Sequence, residues 1–342
     1  MGADKRRFRI AVDAMGGDLA PVEMIKGAIH ATNDDALEVL LVGETDLVEP
    51  VLQQEDYDPK SISVVNSEGV IREDESPVNA LRQKPNSSIA VSVGLVKNGY
   101  ADACVTMGST GAAVAASTFG FGLIPGVERP ALAGPVIGFN PNVVLLDVGA
   151  GVDLRASQLL NCGIMGKVFA EKVLDMGSVS IGTLSVGSED EKGNRQIKEA
   201  FPLFAESGLS FIGNVEGVDL FDDRPKVIVC DGFIGNILMK YTEGLGLAIQ
   251  KFITEELGSI LDNDTMAAIQ QKIFSNTNVV ESFGGGPLLG VEGITIIGHG
   301  RSAALAIGSA IKLAKHACEQ DFLENMRQEI QQFSGANTSH VG

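Results

Sequence analysis

Short apolar runs recur along the chain, and nearly all end in glycine or aspartate before a stretch with helical spacing. The runs lie at 10–13, 39–43, 62–65, 103–107, 143–147, 179–186, 227–231 and 294–298 and predict strands. Helical periodicity predicts helices over 21–32, 87–97, 109–119, 156–174, 195–206 and 236–257, with another from Arg301 onward. Strands alternating with helices in this way predict an α/β protein whose mainly parallel sheet is covered on both faces, a three-layer α/β/α arrangement.

Tyr241, Leu245, Ala248 and Phe252 follow a 4-3-4 spacing, so the helix that carries them is amphipathic. Gly258 can end it, and Asp262 or Asn263 can cap a second helix with Met266, Ile269 and Ile273. The pair makes a protruding helical hairpin over about 236–274 with Ile260 and Leu261 at its tip. Packing on the body, on a second subunit, or against a membrane all remain open for it. No linker or repeat divides the chain, so 8–333 is expected to be one domain and 334–342 a flexible tail. The weakest boundary is near Pro125 to Pro141, where four prolines mark a crossover between two lobes that would share a cleft.

Composition narrows the function. Hydrophobic residues make up 44% and aromatics 5%, without tryptophan, so the core must be aliphatic and alanine-rich. A net charge of −18 argues against nucleic acid as a partner and against adsorption to an anionic membrane by charge alone. The four cysteines are scattered without a C-x-x-C pair, as in reduced cytosolic thiols. Asp13 interrupts the first apolar run too early for a signal peptide, and no run approaches the ~20 residues of a membrane span. A soluble, cytoplasmic protein is expected.

In a doubly wound sheet, ligands bind outside the carboxyl ends of the strands. Those ends carry Asp13, Gly16 and Gly17; Gly108-Ser109-Thr110-Gly111; Asp147; the loop with Lys192; Asp231; and Gly298 to Ser302. The 108–111 turn, between a strand and an alanine-rich helix, places unpaired N–H groups and two hydroxyls where an anion would sit. A plain helix cap at Ser109 or Thr110 explains the same residues. No P-loop and no G-x-S-x-G elbow is present. Gly298-x-Gly300-x-x-Ala303 matches a dinucleotide fingerprint, but its strand is the last one, so it reads as an anion seat or as close packing. His299 is the one histidine at a strand end, and no ligand spacing for a metal is found. What remains suits an anion that is itself the nucleophile, and no cofactor is expected.

The strings Val12-Asp13-Ala14-Met15-Gly16-Gly17-Asp18, Asp147-Val148-Gly149-Ala150, Phe211-Ile212-Gly213-Asn214-Val215-Glu216-Gly217 and Asp231-Gly232-Phe233 resemble the bacterial phosphate acyltransferase PlsX family. So do Gly284-Gly285-Gly286-Pro287-Leu288-Leu289-Gly290 and Ile297-Gly298-His299-Gly300-Arg301-Ser302. Leu19 and Ser109 depart from the family, which usually has histidine and asparagine there. The resemblance implies a homodimer with an isocitrate/isopropylmalate dehydrogenase-like fold. It implies reversible transfer of a fatty acyl group from acyl carrier protein to inorganic phosphate. The acyl phosphate would feed a membrane glycerol-3-phosphate acyltransferase in phospholipid synthesis, and peripheral membrane contact favours an exposed tip at Ile260 and Leu261.

On that basis phosphate is expected at Gly108, Ser109, Thr110 and Gly111, with cationic help from Lys192 and Arg301. Lys192 and Asn236 are the expected catalytic residues and His299 a lower-ranked proton donor to the leaving thiolate. Asp13, Gly16, Gly17, Asp147, Asp231 and Ser302 are expected to line the cleft. Acyl carrier proteins are acidic, so docking needs a local basic patch, assigned to Arg195, Lys198, Arg224 and Lys226 beside Lys192. A phosphotransacetylase-like enzyme using acyl-CoA, a nicotinamide-dependent dehydrogenase and a non-catalytic acyl-binding scaffold are the alternatives.

Overall fold

A computed structural model describes residues 6–34, 36–135, 138–140, 142–222 and 224–338. The elements in chain order are β1 (Phe8–Asp13), α1 (Val22–Ala31), β2 (Leu37–Gly43), α2 (Thr45–Leu52), β3 (Ile62–Asn66), α3 (Pro77–Gln83), α4 (Ser88–Lys97) and β4 (Ala103–Thr106). Then come α5 (Thr110–Phe121), β5 (Ala131–Gly134), β6 (Val144–Leu146), α6 (Ala156–Lys172), β7 (Ile181–Leu184), α7 (Arg195–Glu206), β8 (Phe211–Val215) and a 3₁₀ turn (Gly217–Phe221). The last are β9 (Val227–Val229), α8 (Gly232–Leu257), α9 (Asn263–Thr277), α10 (Val279–Phe283), β10 (Gly286–Leu289), β11 (Thr295–Ile297), α11 (Ala304–Glu319) and α12 (Phe322–Thr338).

The chain divides into two units, Met1–Pro130 with Phe283–Gly342, and Ala131–Ser282. The chain passes between them twice, after Pro130, within the 125–141 stretch, and again after Ser282. In the first unit the strand order is β3-β2-β1-β4-β11-β10, parallel except for β10 against β11. Right-handed crossovers that run outward from β1 to β3 and then back to β4 put α1 and α4 on opposite faces. α1 and α11 pack along each other because their facing residues are small: a Cβ at Gly27 would overlap Ile307, and Gly308 faces the Gly27 carbonyl. The alanine-rich core expected from composition is realised here in Ala28, Ala31, Ala310 and Ala314, all fully buried.

In the second unit the order is β5-β6-β9-β7-β8, parallel except for β5 against β6. α6 has apolar residues on nearly every side, as a helix buried against β6, β9 and α7 must. α8 and α9 form the expected hairpin. Gly258 ends α8, and Asp262 caps α9 by accepting hydrogen bonds from the Thr265 N–H at 2.9 Å and its hydroxyl at 2.8 Å. Gln250 and Gln270 tie the two helices together through 2.8 Å hydrogen bonds to the Gln270 carbonyl and the Thr254 hydroxyl. Tyr241 and Phe252 are 65% and 62% exposed, so among the described residues the apolar stripe of α8 is left largely open. α8 begins at Gly232, four residues earlier than expected, and α12 runs to Thr338, so residues 334–338 of the expected tail are helical. Residues 339–342 lie outside the described residues. Among the described residues no helix is long and apolar enough to cross a membrane.

Candidate functional site

In the first unit, three loops meet at the carboxyl ends of β1, β4 and β11. Asp13 ends β1 and is buried, so it is the anchor beneath the loops and does not line an open cleft. Its Oδ2 accepts from the Thr106 hydroxyl at 2.7 Å, and its Oδ1 from the Met15 N–H at 3.2 Å. The Thr106 hydroxyl in turn accepts from the Gly108 N–H at 3.0 Å, so one relay joins the end of β1 to the turn before α5. Burial pushes the Asp13 carboxyl above its usual range, and these donors pull it back. A Cβ at Gly16 would lie 2.7 Å from Asp13 Oδ2 and 2.8 Å from the Gly108 nitrogen, so only glycine lets the two loops close. A Cβ at Gly17 would lie 3.1 Å from the Gly300 carbonyl oxygen and 3.1 Å from Met107 Cβ, so the third loop also closes on glycine.

Ser109 is the N-cap of α5, its Oγ accepting from the Ala112 N–H at 3.4 Å. The cap and the anion seat are compatible, because the Thr110 and Gly111 N–H groups still lack intrahelical acceptors. The β11 loop is different. α11 starts at Ala304, three residues later than expected, and its first N–H donates to Glu23 Oε2 at 2.8 Å. A carboxylate thus occupies that helix end, so the Gly298-x-Gly300 pattern serves close packing, with Asp18 N–H donating to the Gly300 carbonyl at 2.7 Å. Arg301 is exposed, His299 half-buried and Ser302 buried.

In the second unit Asp147 follows β6 and is fully buried. It accepts backbone N–H bonds from Leu132, Gly149, Ala150 and Gly151 at 2.5–3.0 Å. Burial pushes its carboxyl up, and the four donors pull it down. It too is an anchor. Asp231 caps α8, accepting from the Ile234 N–H at 2.9 Å. The start of α8 lies hard against the Asp147 loop, where a Cβ at Gly235 would overlap the Asp147 carbonyl oxygen. Asn236 therefore sits in the second turn of α8, not at a helix opening, beside Gly149.

Lys192 is exposed on the loop between β7 and α7. Beneath it Asn214, 2% exposed, donates to the Glu189 carbonyl at 2.8 Å and the Lys192 carbonyl at 3.4 Å, and accepts from the Thr183 hydroxyl at 2.8 Å. Thr106, Asn214 and Glu23 are the supporting residues that sequence reasoning missed. The expected basic patch does not hold together. Lys192, Arg195 and Lys198 follow the carboxyl end of β7, whereas the Arg224 carbonyl accepts from Ser180 and Lys226 N–H donates to the Ser180 carbonyl, at the opposite end of the same strands. Parallel pairing of β7 with β9 makes that separation unavoidable. At the hairpin tip Ile260 is 72% exposed and Leu261 half-buried. Burial pushes the Cys104 thiol up to about 12 and those of Cys162 and Cys230 well above their ordinary value, so none is a ready nucleophile.

Comparison with known proteins agrees with this architecture. Residues 8–325 match the family model described as fatty acid synthesis protein. A phosphate acyltransferase from Heliobacterium modesticaldum is 41% identical over 94% of this chain and 98% of its own length. Another, from Desulforudis audaxviator, is 43% identical over 91% of this chain and 92% of its own length. Among solved structures, a phosphotransacetylase from Streptococcus pyogenes superposes with a TM-score of 0.59 at 16% identity, covering 91% of this chain and 94% of that one. A 4-hydroxythreonine-4-phosphate dehydrogenase from Klebsiella pneumoniae gives 0.55 at 13%, covering 91% and 99%, a likeness of fold alone. With its strand-end loops anchored on Asp13 and Asp147 and its relatedness running nearly end to end, the chain belongs to the phosphate acyltransferase family.

Proposed function

We propose that the protein takes a fatty acyl group from acyl carrier protein and passes it to inorganic phosphate, reversibly, releasing acyl phosphate for phospholipid synthesis. Acyl transfer to phosphate is the activity its family name describes. A phosphate oxygen attacks the thioester carbonyl, the carbon–sulfur bond breaks, and the thiolate leaves and takes a proton. Hydrogen phosphate is a competent nucleophile and a thiolate a good leaving group, so the protein supplies charge neutralisation, alignment and an oxyanion donor. The observation that carries the reading is the 108–111 turn: a helix start with open N–H groups, held by the Asp13–Thr106 relay, in a chain whose described thiols are raised by burial.

Phosphate is assigned to that turn, with Arg301 as its exposed cation, and His299 is the proposed proton donor to sulfur. In the second unit Asn236 is assigned the developing oxyanion, and Lys192 the neutralisation of charge. Arg195 and Lys198 are the docking residues for the acidic carrier protein. The exposed stripe of α8 supports a homodimer. The exposed Ile260 supports peripheral contact with a membrane, where a glycerol-3-phosphate acyltransferase would receive the product. Thiol release from acyl carrier protein on adding phosphate, with acyl phosphate formed in equal amount, tests the reading. Lys192→Ala should lower turnover at saturating substrates; a folded Lys192→Ala protein with unchanged turnover refutes that role. Release from acyl-CoA alone refutes the carrier-protein donor.

A further inference from the structure

Within the Ala131–Ser282 unit, a cleft of about 460 Å³ opens beside the Lys192 loop. That size falls in the roughly 300–1,000 Å³ range of small-molecule sites. Val152 and Phe233, 59% and 57% exposed, form its apolar sides. Its polar wall is built, because Gln196 Nε2 donates to Asp153 Oδ1 at 2.7 Å across 43 residues of sequence. Asp153 is at φ 61°, in the left-handed region that aspartate enters more readily than most residues, and this turns its carboxylate toward Gln196. The caps Asn194 and Asp231 complete the lining, and Arg195 stands at the mouth.

We propose that this cleft holds the phosphopantetheine arm that carries the acyl thioester, the chemistry shared by acyl carrier protein and coenzyme A; the assignment rests on the donor reading above. The arm alternates methylene and dimethyl groups with two amides, and the lining offers both apolar and amide or carboxylate side chains. Val152 and Phe233 meet the hydrocarbon. The Asn194 and Gln196 amides meet its carbonyls, and the second oxygens of Asp153 and Asp231 accept its N–H groups. A bare acyl chain would use only the two apolar sides, and a nucleotide diphosphate would face two carboxylates. The arm's single phosphate reaches only the mouth, where Arg195 is. Position agrees with this. Phe233 is three residues before Asn236, on the same side of α8. Asn194 is two residues beyond Lys192, and Val152 three beyond Gly149, which abuts Asn236. An arm in the cleft therefore ends at the groups assigned to the thioester.

Phe233→Ala and Gln196→Leu test this, with free phosphopantetheine as the calorimetric probe and acyl carrier protein and acyl-CoA as kinetic donors. Phe233→Ala should weaken phosphopantetheine binding and raise the donor KM about tenfold, with the KM for phosphate and the melting temperature unchanged. Gln196→Leu should shift the same quantities in the same direction by a smaller factor. Arg195→Gln should raise the KM for both donors but not for an acyl-pantetheine thioester that lacks the phosphate. Wild-type protein that fails to bind phosphopantetheine, or folded variants with unchanged donor KM, would overturn the cleft assignment. If acyl-CoA alone is turned over and Phe233→Ala raises its KM, the cleft stands and the carrier-protein reading falls. If acyl carrier protein is turned over with its KM unmoved, the reverse holds.

Discussion

Asp13 and Asp147 occupy matching places in the two units: each is a buried carboxylate where a central parallel strand gives way to a glycine-containing loop. Their partners differ. Asp147 satisfies four backbone N–H groups by itself, three of them in its own loop. Asp13 reaches a hydroxyl on the neighbouring strand, and the hydroxyl reaches the turn that opens α5. The first arrangement has no substitute for a charged acceptor, since every partner can only donate. The second contains a rotor, since the Thr106 hydroxyl can donate or accept. The difference separates a loop folded around its carboxylate from a helix-opening turn coupled to its carboxylate through one side chain.

Asparagine substitution exposes the asymmetry. Asp147→Asn keeps an oxygen for three N–H groups but turns an NH₂ toward the Gly151 N–H, a buried donor against a donor. We expect a loss of about 3 kcal/mol in urea denaturation for Asp147→Asn and about 1 kcal/mol for Asp13→Asn, where the Thr106 hydroxyl can turn to accept. Equal losses at the two sites would remove the distinction. Thr106→Val comes next in size. Its shape is conserved, but it leaves Asp13 Oδ2 and the Gly108 N–H without their shared partner. It should cost about 1–2 kcal/mol and raise the KM for phosphate more than that for the acyl donor. A Thr106→Val protein with lowered stability but an unchanged phosphate KM would show that the relay supports the fold without shaping the seat.

Asp13 can also be tested by pH, with burial raising the Asp147 carboxyl in the same direction. The folded Asp13 carboxyl is raised above its ordinary 3.8 by burial, so the folded state binds more protons than the unfolded state as pH rises past that value. Its contribution to stability is therefore full below 3.8 and is lost as pH rises through the folded value. The stability difference between wild type and Asp13→Asn should be largest at the acid end and shrink as pH rises. A difference that grows with pH would mean that the hydrogen bonds outweigh burial and that Asp13 is held charged, as a loop-organising carboxylate.

Much of this architecture was legible in the chain, and the parts that were not share a cause. Long apolar runs such as 39–43 and 103–107 announce central strands, because both faces of a parallel sheet must be covered. β5, β8 and β10 escaped. Ala131–Gly134 and Gly286–Leu289 are short, rich in glycine, alanine and proline, and antiparallel to their neighbours, while Phe211–Val215 has a glycine in its middle. The caps Ser109 and Asp262 were legible because a cap and its helix are adjacent in sequence. The anchors were not: Thr106 meets Asp13 across 93 residues and Asn214 meets Glu189 across 25, and no local pattern encodes either. Strand polarity explains the divided basic patch, since Arg224 and Lys226 precede β9 whereas Lys192 and Arg195 follow β7, at opposite ends of two parallel strands.

The smallest predicted effect bears on what the first unit's loops need. Leu19 follows the Asp13 loop and is 45% exposed. If the seat works through backbone N–H groups and the Asp13–Thr106 relay, a titratable side chain at 19 adds nothing to the transfer. Leu19→His should then change stability by less than about 0.5 kcal/mol. It should also leave thiol release unchanged across the range where a histidine titrates, near pH 6.5. A new limb in the pH–rate profile, rising as the imidazole loses its proton, would place a working base in the first unit and make the strand-end loops unequal in chemistry as well as in anchorage.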